Sequence, residues 1–172
     1  MKPILTAKLK LNFILQQGLC EASAASCPAQ YSALLFQPRL VGLVVVAAVI
    51  LQEPLVFLSL GAILWWNALV PRLNPFDLLY NRTLASRPGG VALTPAPPPR
   101  RFAQGMAGTF ALSIGGCLAL GWNTAAHLLE GSMIVALAAL LVGGFCLGSF
   151  IFHMLRGRAS FARRTLPWGR GA

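Results

Sequence analysis

The sequence predicts an all-α membrane protein with four transmembrane helices arranged as two helical hairpins, together with a short interfacial helix and extended basic termini. Hydrophobic residues make up 56% of the 172 residues and charged residues only 10%, whereas about a quarter of an ordinary soluble domain is charged. Four apolar stretches approach the roughly 20 residues that a helix needs to cross the hydrocarbon core. The basic residues fall on one side of the resulting topology.

The first hairpin is predicted over residues 34–72. Its first span covers residues 34–52, and its second span covers residues 55–70. Pro54 lies between them, and proline is tolerated at the first position of a helix but not in its interior, so we expect a tight turn there. Pro71 ends the second span for the same reason.

The second hairpin is predicted over residues 101–155, with a third span at residues 102–122 and a fourth at residues 132–155. In lipid, helices associate through close backbone approach, and small residues four positions apart mark such contacts. We therefore expect these two spans to pack tightly against each other rather than against another chain. The candidate helix-packing residues are Ala103, Ala107, Ala111, Gly115 and Ala119 in the third span, and Gly144 and Gly148 in the fourth.

The charge distribution predicts the orientation. Fourteen Lys and Arg residues against four acidic residues give a net charge of +10 at pH 7. The two short loops inside the hairpins carry no basic residue, so the positive-inside rule places both termini and the central segment in the cytoplasm of a bacterium, with the spans in its inner membrane.

The same charges predict the partners. Basic residues near a membrane surface attract anionic lipids, and the sequence lacks the interleaved aromatic and basic residues that stack nucleic-acid bases. The expected partners are therefore anionic lipids and other membrane subunits, and no nucleic acid. The candidate lipid contacts are Arg72, Arg100, Arg101, Arg156, Arg158, Arg163 and Arg164.

Both terminal segments are predicted to lie outside the spans. Residues 1–33 form an N-terminal arm in which polar and apolar residues alternate between Lys8 and Phe13. This pattern suits either an extended strand or an interfacial helix. Residues 156–172 form a basic tail.

The central segment, residues 73–100, is predicted to begin with a short interfacial helix. Asn74 is a candidate N-cap, Pro75 suits the first helical position, and Asp77 complements the helix dipole. The prolines between residues 86 and 100 favour an extended connector.

Four short motifs carry a family resemblance over residues 37–152. They are Gln37-Pro38-Arg39-Leu40-Val41, Asn74-Pro75-Phe76, Pro99-Arg100-Arg101-Phe102-Ala103-Gln104 and Gly144-Phe145-Cys146-Leu147-Gly148-Ser149. Their order and spacing resemble the bacterial integral membrane family catalogued as domain of unknown function 4395. The resemblance implies a compact four-helix membrane unit with no established activity. The family motif in the fourth helix is Phe-Cys-x-Gly-Cys, and Ser149 stands at its second cysteine, which weakens a thiol-redox interpretation.

Cys146 and Ser149 form the C-x-x-S spacing of monothiol redox sites, where a helix N-terminus or a nearby cation activates the thiol. The sequence places Cys146 within an apolar span without either aid, so we expect a structural thiol. Cys117 is expected at a different depth, beyond disulfide reach. Cys20 and Cys27 are expected to be free, because the cytoplasm is reducing.

Histidine ligands are the remaining chemical candidates. His153 follows Cys146 by two helical turns, and His127 with Glu130 resembles half of a carboxylate metal site. Neither pattern supplies the three or four ligands that a metal needs, so we expect no metal, no catalytic residue and no cofactor beyond bound lipid. Asn67 and Gln104 are expected to hydrogen-bond between helices.

The predicted function is that of a non-catalytic accessory subunit in a larger bacterial membrane complex of respiratory or photosynthetic type. In this hypothesis, the hairpins and the basic cytoplasmic arms brace the complex. The alternative is a membrane thiol-redox or sulfur-handling protein that uses Cys146. A small channel or carrier is the least favoured hypothesis, because the spans carry no acidic residue near their centres.

Overall fold

The computed structural model describes residues 2–19, 27–88 and 90–168, with the side chains of residues 7–19, 29–88 and 90–168. The described residues are helical and contain no β-strand. The helices are α1 (Lys2–Gln16), α2 (Cys27–Leu34), α3 (Phe36–Leu51), α4 (Pro54–Leu69), α5 (Pro75–Thr83), α6 (Pro98–Ala119), α7 (Asn123–Leu141), α8 (Leu147–Leu155) and α9 (Ala159–Arg164), with a 3-10 turn at Pro71–Leu73.

Three helices are long and apolar enough to cross a membrane, so the chain has the character of a membrane protein. They are Ala29–Leu51, Pro98–Ala119 and Asn123–Leu141. The first of them joins α2 and α3, because Leu35 between the two keeps a helical backbone with φ −80° and ψ −7°. α4 is a shorter apolar helix of 16 residues.

The predicted tight turn between the first two spans is present. Gln52 ends α3 in the left-handed conformation with φ 51°, Glu53 is extended, and Pro54 is the first residue of α4. The turn therefore places proline in the first turn of a helix, where the backbone amides have no intrahelical acceptor.

The closest helix contact is between α4 and α6, which run antiparallel. A Cβ atom on Gly108 would lie 3.1 Å from the carbonyl oxygen of Gly61, and one on Gly115 would lie 2.9 Å from the carbonyl oxygen of Pro54. The two backbones thus touch directly, as small residues permit in membrane helices. α3 and α7 complete the core, in which Phe57, Ile114 and neighbouring apolar side chains are buried.

The predicted fourth span is not one helix. α7 ends before two glycines, and Gly144 adopts a left-handed φ of 61°. The amide of Gly144 donates to the carbonyl of Leu140, and the amide of Phe145 donates to the carbonyl of Ala139, both at 3.1 Å. These bonds are those of a glycine-closed helix end. The prediction of a continuous span over residues 132–155 is therefore wrong. Hydropathy measures only apolar character, so it does not detect the left-handed backbone conformation of Gly144.

The N-terminal arm is a helix rather than an extended strand. Phe13 and Ile14 of α1 are buried and pack with Leu34, Leu35 and Cys146. The described part of the basic tail includes α9 and is not simply extended either. We call the end of the bundle that holds α1, α5, α8 and α9 the basic end, and we call the opposite end the far end.

The predicted helix start in the central segment is confirmed. The Asn74 Oδ1 atom accepts hydrogen bonds from the amides of Phe76 at 3.0 Å and Asp77 at 3.4 Å. Beyond α5, the connector is extended, and Asn81 fixes it by donating to the carbonyl of Leu93 at 2.9 Å and accepting from its amide at 2.8 Å.

Candidate functional site

A buried ion pair lies at the basic end, where α5 and α6 begin. The Nη2 atom of Arg100 donates to Oδ1 of Asp77 at 2.6 Å, and the two side chains are only 7% and 9% exposed. Because the pair is buried, the prediction that Arg100 contacts anionic lipid is wrong. The opposite charges cancel, so this part of the protein interior is neutral overall.

Gln37 of α3 joins the ion pair to α6. Its Oε1 atom accepts from Arg100 Nη2 at 3.1 Å, from Gln104 Nε2 at 2.8 Å and from Asn74 Nδ2 at 3.4 Å. Because Arg100 can only donate hydrogen bonds, the atom of Gln37 that faces it must be the amide oxygen. Gln104 must therefore present its amide nitrogen to Gln37, and its amide oxygen faces elsewhere.

These polar groups border a cavity of about 220 Å³ between α3, α6 and α7. α1 and the start of α8 bound it at the basic end. Its lining is mainly apolar, with polar atoms from Gln17, Gln37, Arg100, Gln104, Ser132 and Cys146. An engineered apolar cavity of about 150 Å³ binds benzene, so this cavity has room for a ring or a chain segment of that size.

The amide oxygen of Gln104 is a buried acceptor without a hydrogen-bond partner in the described part of the chain. Gln104 is 6% exposed and lines the cavity. The prediction that Gln104 bonds between helices is confirmed by its contact with Gln37. Asn67 differs, because both of its polar side-chain atoms are buried without partners among the described residues.

Cys146 lies at a helix N-terminus and not in the middle of a span. It is the N-cap of α8, with φ −97° and ψ 103°, and it lines the cavity. Its amide donates to Oε1 of Gln16 at 3.0 Å. The predicted absence of a helix N-terminus beside this thiol is therefore wrong, since Gly144 ends the preceding helix. Ser149, three residues later, is fully buried and donates to the carbonyl of Pro99 at 3.4 Å.

His153 connects α8 to α1. Its Nε2 atom lies 3.1 Å from the carbonyl oxygen of Gln16, which can only accept, so Nε2 carries the proton. Cys146 precedes the first turn of α8, so the prediction that His153 and Cys146 share one continuous helix is wrong.

The cysteines outside this site add no disulfide to the described part. Cys117 and Cys146 are free thiols, which confirms that they do not pair. Cys20 lies outside the described residues, as does the side chain of Cys27.

A second polar cluster lies at the far end. Nε2 of Gln52 donates to both carboxylate oxygens of Glu130, at 3.2 and 3.3 Å, and Nδ1 of His127 lies 3.0 Å from Oε2 of Glu130. The carboxylate is buried, whereas His127 is 60% exposed. In the described residues no group of three His, Cys, Asp or Glu side chains gathers here or elsewhere. The contact between Gln52 and Glu130 joins the α3–α4 turn to α7.

The predicted helix-packing glycines of the fourth span have separate roles. Gly148 touches α6, since a Cβ atom there would lie 2.6 Å from Cα of Ala103. Gly144 lies in the link between α7 and α8, where Leu9 of α1 covers it. The two glycines therefore do not share a helix face.

The small residues of the third span also face several neighbours. Ala107 lines the cavity, and Ala111 is buried in the core. Gly115 contacts α4, and Ala119 is exposed. These small residues therefore lie mainly against α4 and the cavity, and they also contribute to the contacts of α6 with α7.

The other predicted lipid contacts lie at the basic end. Arg101 is half-buried, and its Nε atom donates to the carbonyl of Ala68 at 2.7 Å. The remaining side chains are exposed, namely Arg72, Arg156, Arg158, Arg163 and Arg164.

Sequence reasoning missed several residues of the site. Gln37 and the pair Gln16 and Gln17 are polar residues near apolar stretches, a signal for buried hydrogen bonding that was available. Gly61 lies opposite Gly108, but no pattern within one helix reveals which glycine of another helix it meets.

The described fold is that of an all-helical membrane protein with a cavity that is apolar along its walls and polar at one end. The family model described as "Domain of unknown function (DUF4395)" matches residues 32–157, and the chain belongs to this family. The resemblance inferred from the four motifs is thereby confirmed. No curated protein and no solved structure matches the chain.

Proposed function

We propose that this chain is a non-catalytic accessory subunit of a larger bacterial membrane complex, of respiratory or photosynthetic type. In this proposal the helices anchor the subunit in the inner membrane, and the basic end docks on an acidic surface of its partner. Anionic lipids surround the same end.

The folded and uncompensated basic end supports this function. Exposed cations lie on α5 and α9 and directly after α8, including Arg82, Arg163 and Arg164. Asp77 is buried in its ion pair, and Glu130 is buried at the far end. No described acidic side chain is exposed among these cations. A cationic surface of this kind favours docking on acidic partners through long-range attraction.

Contacts with α1 hold this surface in place. Gln16 bonds to both Cys146 and His153, and Nδ2 of Asn12 donates to the carbonyl of Leu166 at 3.3 Å. A surface held by buried hydrogen bonds loses little conformational entropy when it docks.

We propose four membrane crossings with both termini in the cytoplasm. α4 follows α6 along its whole length, from Pro54 beside Gly115 to Ala68 beside Gly105. A short helix that packs so completely on a membrane-crossing helix has its ends at similar depths, and thinning of the bilayer accommodates its length. Reporters fused to each terminus should both face the cytoplasm. Reporters found in opposite compartments would refute the topology.

Co-purification tests the accessory role. The protein purified from its native membrane in mild detergent should retain a stoichiometric partner. The double variant Arg163→Gln/Arg164→Gln should lose it at lower salt than the wild type, because fewer charges attract the partner. Arg163→Lys/Arg164→Lys keeps both charges at the same exposed positions and serves as the control. A clean monomer from the wild type would contradict the proposal.

The position of Cys146 favours a second candidate function, a membrane thiol protein. The thiol lies at the N-terminus of α8, where free amides favour negative charge, and it faces a cavity that an apolar molecule could enter. Cys117, in the last turn of α6, provides an internal comparison. If Cys146 reacts with a membrane-permeant maleimide much faster than Cys117 near neutral pH, the thiol function gains support. If both react slowly, Cys146 is structural.

A further inference from the structure

Gln104 lines the cavity between α3, α6 and α7, and its amide oxygen is a buried acceptor without a partner among the described residues. The hydrogen bonds of Gln37 orient Gln104 so that its Nε2 atom is bonded and its Oε1 atom is not. A buried carbonyl without a hydrogen-bond partner destabilises the folded protein. A molecule that donates a hydrogen bond to Oε1 would remove this destabilisation.

The charge beside Gln104 favours a neutral head group. Among the described residues, Arg100 is the one charged residue that lines the cavity, and Asp77 neutralises it at 2.6 Å. An anionic head would therefore compete with Asp77 for the guanidinium. A cationic head would lie beside Arg100 without an acidic partner in the lining.

The remaining walls favour an apolar body. Along about two turns of α6, from Ala103 to Phe110, the lining side chains other than Gln104 are apolar, and Met133, Ala136 and Leu140 line the cavity from α7. The cavity is partly open, so a longer chain could continue out of it. Burial of an apolar body against these walls favours binding through the hydrophobic effect.

We propose that this cavity binds a neutral amphiphile whose head group donates a hydrogen bond to Oε1 of Gln104 and whose apolar body lies between α6 and α7. A quinol and a diacylglycerol share this chemistry, since each carries a hydroxyl group on an apolar body. The site is independent of the accessory role, which concerns the exposed surface of the basic end.

A matched pair of probes tests the head group. Decanol and nonyl methyl ether have the same number of heavy atoms, but only decanol can donate. Dissociation constants follow from the thermal unfolding midpoint of the purified full-length protein as the probe concentration rises. Decanol should bind about fivefold more tightly than the ether, the difference expected for one neutral hydrogen bond. In Gln104→Leu the two constants should become equal.

A second pair of variants locates the site without touching the polar network. Ala136 lines the cavity, whereas Ala138, on the same helix, is exposed and does not. Ala136→Met should weaken decanol binding at least tenfold by filling the cavity, and Ala138→Met should leave it unchanged. This pair keeps the test decisive if Gln104→Leu does not fold.

Two results would overturn the inference. Equal affinities of the wild type for decanol and the ether would show that the alkyl chain binds without a hydrogen bond to Gln104. Equal decanol binding by the two Met variants would place the molecule outside the cavity. If the discrimination is found, dioctanoylglycerol and reduced decylubiquinone then distinguish the two natural sources, and the tighter binder identifies the class.

Discussion

The contact between α4 and α6 predicts a sharp difference between two glycines of the same helix. In Gly108→Ala, the new Cβ atom would lie 2.9 Å from Cδ1 of Trp65, 3.1 Å from the carbonyl oxygen of Gly61 and 3.2 Å from the amide nitrogen of Trp65. Two of these atoms belong to the backbone and cannot rotate away. In Gly116→Ala, the new Cβ atom meets nothing within 4 Å.

The magnitude follows from two terms. Both substitutions gain about 0.5–1 kcal/mol of helix propensity, and this gain cancels when the two variants are compared. Gly108→Ala alone separates packed backbones, and such overpacking costs about 1–3 kcal/mol. We therefore expect Gly108→Ala to be less stable than Gly116→Ala by about 1–3 kcal/mol, with Gly116→Ala at least as stable as the wild type.

Unfolding in mixed micelles of mild detergent and dodecyl sulfate, followed by helical circular dichroism, measures this difference. Circular dichroism is preferable to fluorescence, because Trp65 lies at the altered contact. Equal stability of the two variants would refute the direct backbone contact between α4 and α6. A large loss in Gly116→Ala would show that its face is occupied, contrary to the structure.

Three further substitutions test other contacts. Asp77→Ala should destabilise the protein by about 3–5 kcal/mol in the same unfolding assay, because it leaves Arg100 buried without its partner; a loss below about 1 kcal/mol would contradict a buried pair. Glu130→Ala should cost about 1.5–3 kcal/mol by removing the charged acceptor of Gln52, whereas Glu130→Gln should cost less, and equal losses would argue against that bond. Asn81→Ala should speed proteinase K cleavage of the proline-rich connector several-fold at an unchanged unfolding midpoint, and unchanged cleavage would show that the bonds between Asn81 and Leu93 do not restrain the connector.

Local signals predicted the elements whose causes are local. Asn74 and Pro75 define a helix start through their own side chains, and the structure contains it. The turn at Pro54 follows from proline geometry in the same way. Hydropathy identified the apolar helices Ala29–Leu51 and Pro98–Ala119, because the need for apolar length does not depend on the rest of the fold.

The features that the sequence did not predict depend on residues far apart in the chain or on a left-handed backbone conformation. Gly144 ends α7 within an apolar run, so hydropathy alone predicted one long span. Gln37 accepts hydrogen bonds from the start of α5 and from α6. No single segment of the sequence shows that these helices meet. Asn67 was expected to find an interhelical partner, yet its amide lies where the described residues offer none. Cys146 lies at a helix start only because Gly144 ends the preceding helix.

The clamp between Asn81 and Leu93 has a consequence for assembly. By bonding both backbone groups of Leu93, the amide of Asn81 behaves as a neighbouring strand would. Only residues 94–97 then separate the clamped point from the start of α6. A connector this short confines the later helices to a small volume beside the earlier ones. Most of the conformational entropy that is lost when the two halves come together is therefore lost before they make contact.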